Sequence, residues 1–234
     1  MLCKIADLYA EIPEAGGMSS RLGEYAVKEL DSANIIPDIT IREEKYVRER
    51  WPGIRDMDFA YMESGSLFYV RLVKLGGMML HSSAVELDGK AYLFSGPSGM
   101  GKSTHSQLWK QCFPNAKIFN DDKPALREID GVWYAYGTPW CGKDGININM
   151  KAPVQGICFL KRGSENQIRR LSKLEAASAI LSQTIRNFAH PEQVEVLLKV
   201  IERLIDKAPV YELKCKPEPE AALLSYKTMS ANQL

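Results

Sequence analysis

The chain has 234 residues, of which 45% are hydrophobic and 25% charged, and its 30 Lys and Arg against 29 Asp and Glu give a formal net charge of +1. This composition is typical of a folded globular protein, because disordered chains carry fewer apolar residues and a larger net charge. The near-neutral charge argues against a surface whose main purpose is to bind nucleic acid or another polyanion.

The cysteines and the apolar runs indicate the compartment. The five cysteines are an odd number, widely spread and without a C-x-x-C pair, so neither a disulfide framework nor a zinc site is predicted. The first residues lack the pattern of a signal peptide, and no apolar run approaches the ~18 residues that would span a bilayer. We therefore expect a cytoplasmic protein that has no membrane partner.

The N-terminal third, residues 1–75, shows sheet-forming patterns and no chemical motif. Residues 2–12 alternate loosely and residues 37–41 are β-branched, which favours strands, while residues 66–73 fit either a strand or a short helix. We expect a β-rich N-terminal part that packs on a second unit, residues 76–228.

Two Asp-Gly pairs, Asp88-Gly89 and Asp130-Gly131, follow runs of strand-forming residues in this second unit. Asp-Gly is favoured in two-residue hairpin turns, so two β-hairpins are predicted. Further strands are predicted at 154–160, with 167–171 as its neighbour, and at 210–215.

Helices are predicted between these strands. Ser172 and Glu175 have the spacing of a capping box, which predicts a helix from there to about residue 185, and Pro191 is placed to begin another. Strands and helices in this mixture predict an α/β fold.

Residues 96–103 match G-x-x-x-x-G-K-[ST] directly after a predicted strand and before a predicted helix. The glycines allow consecutive N–H groups to point inward at an anion, and the helix adds its positive end. Lys102 would then neutralise the β and γ phosphates, and the Ser103 hydroxyl would bind Mg²⁺. The predicted nucleotide-binding residues are Gly96, Pro97, Ser98, Gly99, Met100, Gly101, Lys102, Ser103 and Thr104.

Two adjacent carboxylates, Asp121 and Asp122, follow a short apolar segment. Neighbours on an extended chain point to opposite sides, so one carboxylate could face a metal and the other a phosphate acceptor; a turn capped by Asp is the open alternative. His81 precedes the hairpin strand before the loop, and it would return to the phosphate end only if the strand register is favourable.

The three motifs together resemble the catalytic domain of the HPr serine kinase/phosphorylase family and, more distantly, the nucleotide-binding half of ATP-dependent phosphoenolpyruvate carboxykinase. They are His81-Ser82-Ser83-Ala84, the P-loop with Lys102-Ser103-Thr104, and Asn120-Asp121-Asp122. The resemblance implies a mixed-sheet P-loop kinase domain that uses ATP and Mg²⁺, with a β-rich N-terminal extension.

The resemblance also implies roles for the residues. Asp121 would be the general base, with His81 nearby to tune it, and Asp122 would hold the metal together with Ser103. In the carboxykinase likeness His81 would instead be a metal ligand. Apart from the resemblance, Lys143 lies on a Gly-flanked loop, from which it would contact phosphate or acceptor, unless it is simply a solvated lysine.

The predicted function is therefore transfer of the γ-phosphate of ATP to a hydroxyl of a protein, peptide or small molecule. Lys102, Asp121 and His81 are the predicted catalytic residues, and Ser103 and Asp122 the predicted metal ligands. The expected partners are a nucleoside triphosphate and a hydroxyl-bearing acceptor, and a homo-oligomer is compatible with the sequence. The alternative is a sensor that binds ATP and transfers no phosphate.

Overall fold

A computed structural model describes residues 1–14, 18–28, 34–42, 53–185 and 191–231. A small sheet near the N-terminus begins with the antiparallel strands β1 (Leu2–Ile5) and β2 (Leu8–Glu11), and β3 (Ile39–Thr40) runs parallel to β2. The strands predicted in residues 2–12 and 37–41 are thus present.

A nine-stranded mixed sheet forms the centre of the molecule, in the order β4-β8-β9-β10-β6-β5-β7, with β12 beside β10 and β11 beside β12. The prediction of a mixed-sheet α/β fold is confirmed. Its strands are β4 Gly77–Met79, β5 Ser82–Leu87, β6 Lys90–Ser95, β7 Lys117–Asp122, β8 Ala125–Ile129, β9 Val132–Tyr136, β10 Lys151–Arg162, β11 Gln167–Arg170 and β12 Val210–Cys215.

Both predicted hairpins form, and their turns explain why. Asp88 and Gly89 have φ of 52° and 75°, and Asp130 and Gly131 have 50° and 79°. Positive φ at both central residues is what a two-residue hairpin turn of type I′ requires. These turns join β5 to β6 and β8 to β9.

The long strand β10 branches the sheet. Its first residues pair antiparallel with β9, and from Ile157 onward it pairs in parallel with β12 while β6 runs parallel on its other side. The strand predicted at 167–171 is present as β11, but it pairs with β12 and not with β10. The sequence order suggested the wrong neighbour because β12, although 40 residues later in the chain (210 − 170 = 40), inserts between them.

Six α-helices are present in the described part of the chain. Residues 66–73 belong to the second of them, which is far longer than the short helix considered from the sequence. The predicted capping box at Ser172 and Glu175 is formed, and its helix ends at Ser182, before residue 185. The helices are α1 Ser19–Leu22, α2 Asp56–Lys74, α3 Lys102–Cys112, α4 Lys173–Ser182, α5 Pro191–Lys207 and α6 Pro219–Ser230.

The helices cover both faces of the large sheet. On one face the apolar sides of α4 and α5, including Ile180 and Leu204, pack on the sheet, and on the other face α3 and α6 do so through Trp109 and Met229. The small sheet shares a third core with α2 and Trp140. The division of the chain at residue 75 stays a prediction. None of the described helices is both long enough and apolar enough to cross a bilayer.

His105 lies in the first turns of α3, just after the glycine-rich loop of residues 96–101, and its side chain is buried, only 3% exposed. Its Nε2 lies 3.1 Å from the hydroxyl of Ser225, which donates to the Ala222 carbonyl, so Nε2–H is the donor to Ser225. Burial lowers the pKa of His105 from 6.5 to about 4. The neutral imidazole therefore holds α3 against α6.

We predict that acid destabilises the folded protein through this residue, because protonation places a charge on a buried imidazole. As the pH falls from 6.5 towards 4, the unfolded chain takes up the proton first, so the folded state should lose about 2–3 kcal/mol of unfolding free energy by about pH 4.5. Urea unfolding at pH 7 and pH 4.5 measures this loss. His105→Gln keeps a donor for Ser225 and should lose correspondingly less; an equal loss in both proteins would contradict the prediction.

Candidate functional site

The glycine-rich loop, residues 96–101, lies between β6, which ends at Ser95, and α3, which begins at Lys102. The φ angles of Gly96, Gly99 and Gly101 are 148°, 76° and 100°, values that residues other than glycine rarely adopt. Gly101 is the residue that precedes the first turn of α3. The loop therefore curls at the positive end of a helix, where backbone N–H groups can bind an anion.

Lys102 is buried and directed back into the curl. Its ammonium donates to the carbonyls of Gly96, at 3.0 Å, and Pro97, at 3.4 Å. Burial lowers the pKa of Lys102, and this outweighs the opposing attraction of Asp122 and Asp121. The Lys102 side chain is thus bonded only to neutral carbonyl groups here. A phosphate oxygen would be a stronger acceptor because it is charged.

Ser103 and Asp121 meet beside the loop. The Ser103 hydroxyl donates to Oδ2 of Asp121 at 2.8 Å, and the Asp121 side chain is buried on strand β7. A hydroxyl and a carboxylate are hard oxygen donors of the kind Mg²⁺ takes alongside substrate phosphates. These two residues therefore fit a Mg²⁺ ion next to a bound triphosphate.

Asp122 faces a different set of partners. Its Oδ1 lies 2.9 Å from Nε2 of His81, and Lys123 forms an ion pair with Oδ2. Burial alone would raise the pKa of Asp122, but the hydrogen bonds from His81 and Lys123 outweigh it and lower the pKa to about 2. Asp122 also has a φ of 112°, an unusual backbone conformation for a residue other than glycine.

His81 is fixed by contacts on three sides. Its backbone N–H donates to the Gln183 carbonyl at 2.7 Å, and its Nδ1 lies 3.2 Å from Oε1 of Gln183. Ser95, the last residue before the loop, donates to the His81 carbonyl at 2.8 Å. The ring is therefore held between the end of α4 and Asp122.

The strand register brings the predicted residues together. Ser82 lies opposite Ser95 in β6 and opposite Asp122 in β7, so His81 lies next to both the loop and the acid pair. The acids point to different partners, as alternation along a strand predicts. Asp121, not Asp122, contacts Ser103, and Asp122, not Asp121, contacts His81. The two acids therefore have the opposite neighbours to those expected from the sequence.

Lys143 lies exposed on the turn between Gly142 and Gly145. The N–H of Gly142 donates to the Asp121 carbonyl, which holds this turn beside the acid pair. Among the residues that the structure describes, the Lys143 side chain has no hydrogen-bond or ion-pair partner. Its contact with phosphate or acceptor stays a prediction, as does that of Thr104, which is exposed on the first turn of α3.

Three further residues complete the site, and the sequence motifs do not include them. Lys123 pairs with Asp122 and donates to the Tyr61 hydroxyl at 3.2 Å, and Tyr61 in turn donates to the Cys141 carbonyl at 2.6 Å. Gln183 orients His81. Lys123 could have been found, since it directly follows the acid pair, whereas Gln183 is 102 residues from His81 and carries no local signal.

The fold and the site define a mixed α/β protein with a P-loop-type glycine curl, an acid pair and a histidine at one end of its central sheet. The family model of SynChlorMet cassette protein ScmC matches residues 55–217, more than half of the chain. The chain belongs to this ScmC family.

Comparison with solved structures finds the HPr(Ser) kinase/phosphatase from Coxiella burnetii, at 13% sequence identity and a TM-score of 0.38. The match covers 66% of this chain and 88% of that one. Comparison with curated protein sequences gives no match.

We predict that the curl depends on glycine at position 101. Gly101→Ala forces an alanine to φ of 100°, which should lower the free energy of unfolding by about 1–2 kcal/mol. Denaturant unfolding measures the change. Gly23→Ala is the matched control, because Gly23 has φ of −53° and open space around it, so it should be neutral or slightly stabilising. Equal losses in the two variants would refute a special conformation at Gly101.

Proposed function

We propose that this chain is an ATP-dependent phosphotransferase that moves the γ-phosphate to a hydroxyl-bearing acceptor. The observation that carries this proposal is the convergence of three groups at one end of the sheet: the curled loop with Lys102, the Ser103 and Asp121 pair, and the Asp122 and His81 pair. The first two groups are sufficient to bind a nucleotide with its metal ion. The third group adds a second carboxylate with its own partners, which could accept a proton during transfer.

The loop would bind the triphosphate. Its N–H groups and the N-terminus of α3 would hold the β-phosphate, and Lys102 would leave the carbonyls of Gly96 and Pro97 for the β and γ oxygens. Ser103 and Asp121 would be the side chains that hold Mg²⁺. A Mg²⁺ ion held there would supply positive charge to offset the negative charge that develops during transfer.

Transfer needs one bond to form and one to break. The acceptor oxygen would attack the γ-phosphorus, the bond from that phosphorus to the bridging oxygen would break to release ADP, and Asp122 would accept the acceptor's proton. We assign the base to Asp122 because Asp121 contacts Ser103, with which it would hold Mg²⁺. This reverses the two roles that the family resemblance implies.

His81 would position the base. Its Nε2 is directed at Oδ1 of Asp122, and Gln183 holds the other ring nitrogen. This geometry supports the tuning role more than the metal-ligand role, since the ring contacts Asp122 and not the Ser103 and Asp121 pair.

We predict that Lys102→Ala weakens the binding of ATP with Mg²⁺ at least tenfold, because a hydrogen bond to a charged group contributes about 1.5–3 kcal/mol. Isothermal titration calorimetry measures the affinity. Lys90→Ala is the control, since Lys90 is exposed at the opposite end of the same strand, β6, and should bind as the wild type does. Unchanged binding in Lys102→Ala would rule out the loop as the phosphate site.

The acid pair gives a second prediction. Asp121→Asn should weaken nucleotide binding mainly when Mg²⁺ is present, whereas Asp122→Asn should leave binding within a few-fold and lower transfer by at least a hundredfold, the typical contribution of a general base. Binding is measured by calorimetry and transfer by labelled phosphate. If Asp121→Asn binds normally and loses transfer while Asp122→Asn loses Mg²⁺-dependent binding, the roles implied by the resemblance are correct.

The activity itself is tested with ATP labelled in the γ-phosphate, Mg²⁺ and a cell extract separated into protein and small-molecule fractions. We expect label to enter one of the fractions, and not to do so with Lys102→Ala. Binding of ATP without transfer to either fraction would favour the sensor over the enzyme.

A further inference from the structure

A cavity of about 460 Å³ lies beside the glycine-rich loop, on the side away from the acid pair. Strand β6, which leads into the loop, has β5 and then β7 on one side and β10 and then β12 on the other. Asp121 and Asp122 belong to β7, whereas the cavity wall includes Arg162 at the end of β10 and Lys216 just after β12. The loop therefore lies between the acid pair and this cavity.

This arrangement would orient a bound triphosphate along the loop. The γ-phosphate would face Asp122, and the triphosphate would cross the loop at Gly99 and Gly101 towards the first turn of α3. Both glycines and Thr104 also line the cavity. A triphosphate with its γ end at the acids would thus leave its other end at the mouth of the cavity.

The lining suits a flat aromatic group attached to an anion. Met100, Leu108 and Leu160 provide apolar surface, and Arg162 and Lys216 bring positive charge. Arg162 is held in place by a hydrogen bond of 3.1 Å to the Gly99 carbonyl. Cavities of this size and mixed character bind small organic ligands. The cationic groups of Arg and Lys attract both aromatic rings and phosphates.

We propose that this cavity is the subsite for the base and ribose of the bound nucleotide, which makes the ligand a nucleoside triphosphate and not simple polyphosphate. This inference rests on the proposed phosphate-binding function of the loop. Thr104, Arg162 and Lys216 lie on the ribose and α-phosphate side, and the base packs on Leu108 and Leu160.

The same wall indicates weak selection among purines. The Gly163 N–H is bonded to the Cys215 carbonyl at 3.1 Å, the Lys216 N–H to Asn166 Oδ1 at 3.0 Å, and the Lys216 carbonyl to the Glu218 N–H at 3.0 Å. These backbone groups are engaged within the protein and so are not offered to the edge of a base. A base held by its faces is recognised with little regard to its identity, and ATP and GTP should bind within about tenfold of each other.

A larger groove, of about 770 Å³, runs along α4 on the opposite face of the sheet. It meets the loop at Gly96 and Pro97 and includes Gln183, which contacts His81. Those contacts place it at the γ-phosphate end of the path. It is therefore the less suitable site for the base.

Cys215 and Cys112 provide a test in the wild-type protein. Both are half-buried free thiols, but only Cys215 lines the cavity. We expect ATP with Mg²⁺ to bind at least tenfold more tightly than inorganic tripolyphosphate with Mg²⁺. Saturating ATP should slow the alkylation of Cys215 by a maleimide at least fivefold, measured by mass spectrometry of the peptides. Tripolyphosphate should not protect Cys215, and neither ligand should protect Cys112.

Equal affinity of ATP and tripolyphosphate, with Cys215 alkylated at the same rate under both, would overturn the cavity as the base subsite, as would base-dependent affinity without protection of Cys215. Failure of both ligands to bind would instead refute the phosphate loop, and the subsite with it. The two failures are therefore distinguishable.

A variant tests the same point independently. Pro217→Trp places a large ring at the cavity wall, and we expect it to bring the affinity for ATP down to that for tripolyphosphate while leaving tripolyphosphate binding unchanged. Leu198→Trp is the matched control, because Leu198 is exposed on α5 away from the cavity. If Pro217→Trp keeps the melting temperature of the wild type and still prefers ATP tenfold, the proposal is wrong.

Discussion

The pairing of β5 with both of its neighbours is the constraint on which the site depends. Ser82 lies opposite Ser95 and opposite Asp122, so a single strand aligns the end of β6, where the loop begins, with the end of β7, where the acids lie. A slip of one residue would turn every side chain of the slipped strand to the other face. The tight turn at Asp88 and Gly89 fixes the β5–β6 register, and an irregularity between Ala84 and Val85 adjusts the β5–β7 register.

Charge balance follows from that alignment. Two carboxylates and the Lys102 ammonium are gathered with Lys123 and His81 in partly buried positions, where an unpaired charge is costly. Each has a partner: Asp122 has His81 and Lys123, Asp121 has the Ser103 hydroxyl, and Lys102 has loop carbonyls. Of these, the carbonyl contacts of Lys102 are the weakest, so an incoming phosphate would displace them at the lowest cost.

Local signals allowed much of the fold and the site to be predicted. Asp-Gly turns, the capping box at Ser172 and the glycine spacing of residues 96–103 each act over a few residues, so their outcome is determined by adjacent sequence. The pairing of β11 with β12 and the support of His81 by Gln183 join residues far apart in the chain, and no periodicity reveals them. The identity of the acid that meets Ser103 was beyond reach too, because adjacent carboxylates differ only in which face of β7 they occupy.

The low pKa of Asp122 is unusual for a base, but a weak base is sufficient for the reaction proposed here. A carboxylate with a pKa of about 2 has little affinity for a proton at neutral pH. Phosphoryl transfer, however, passes through a loose transition state in which the acceptor oxygen has formed little bond and still holds its proton. The proton leaves late, when the acceptor has become strongly acidic. What the reaction needs from Asp122 earlier is a fixed oxygen that aligns the hydroxyl, and His81 and Lys123 supply that fixity by the same hydrogen bonds that lower its pKa.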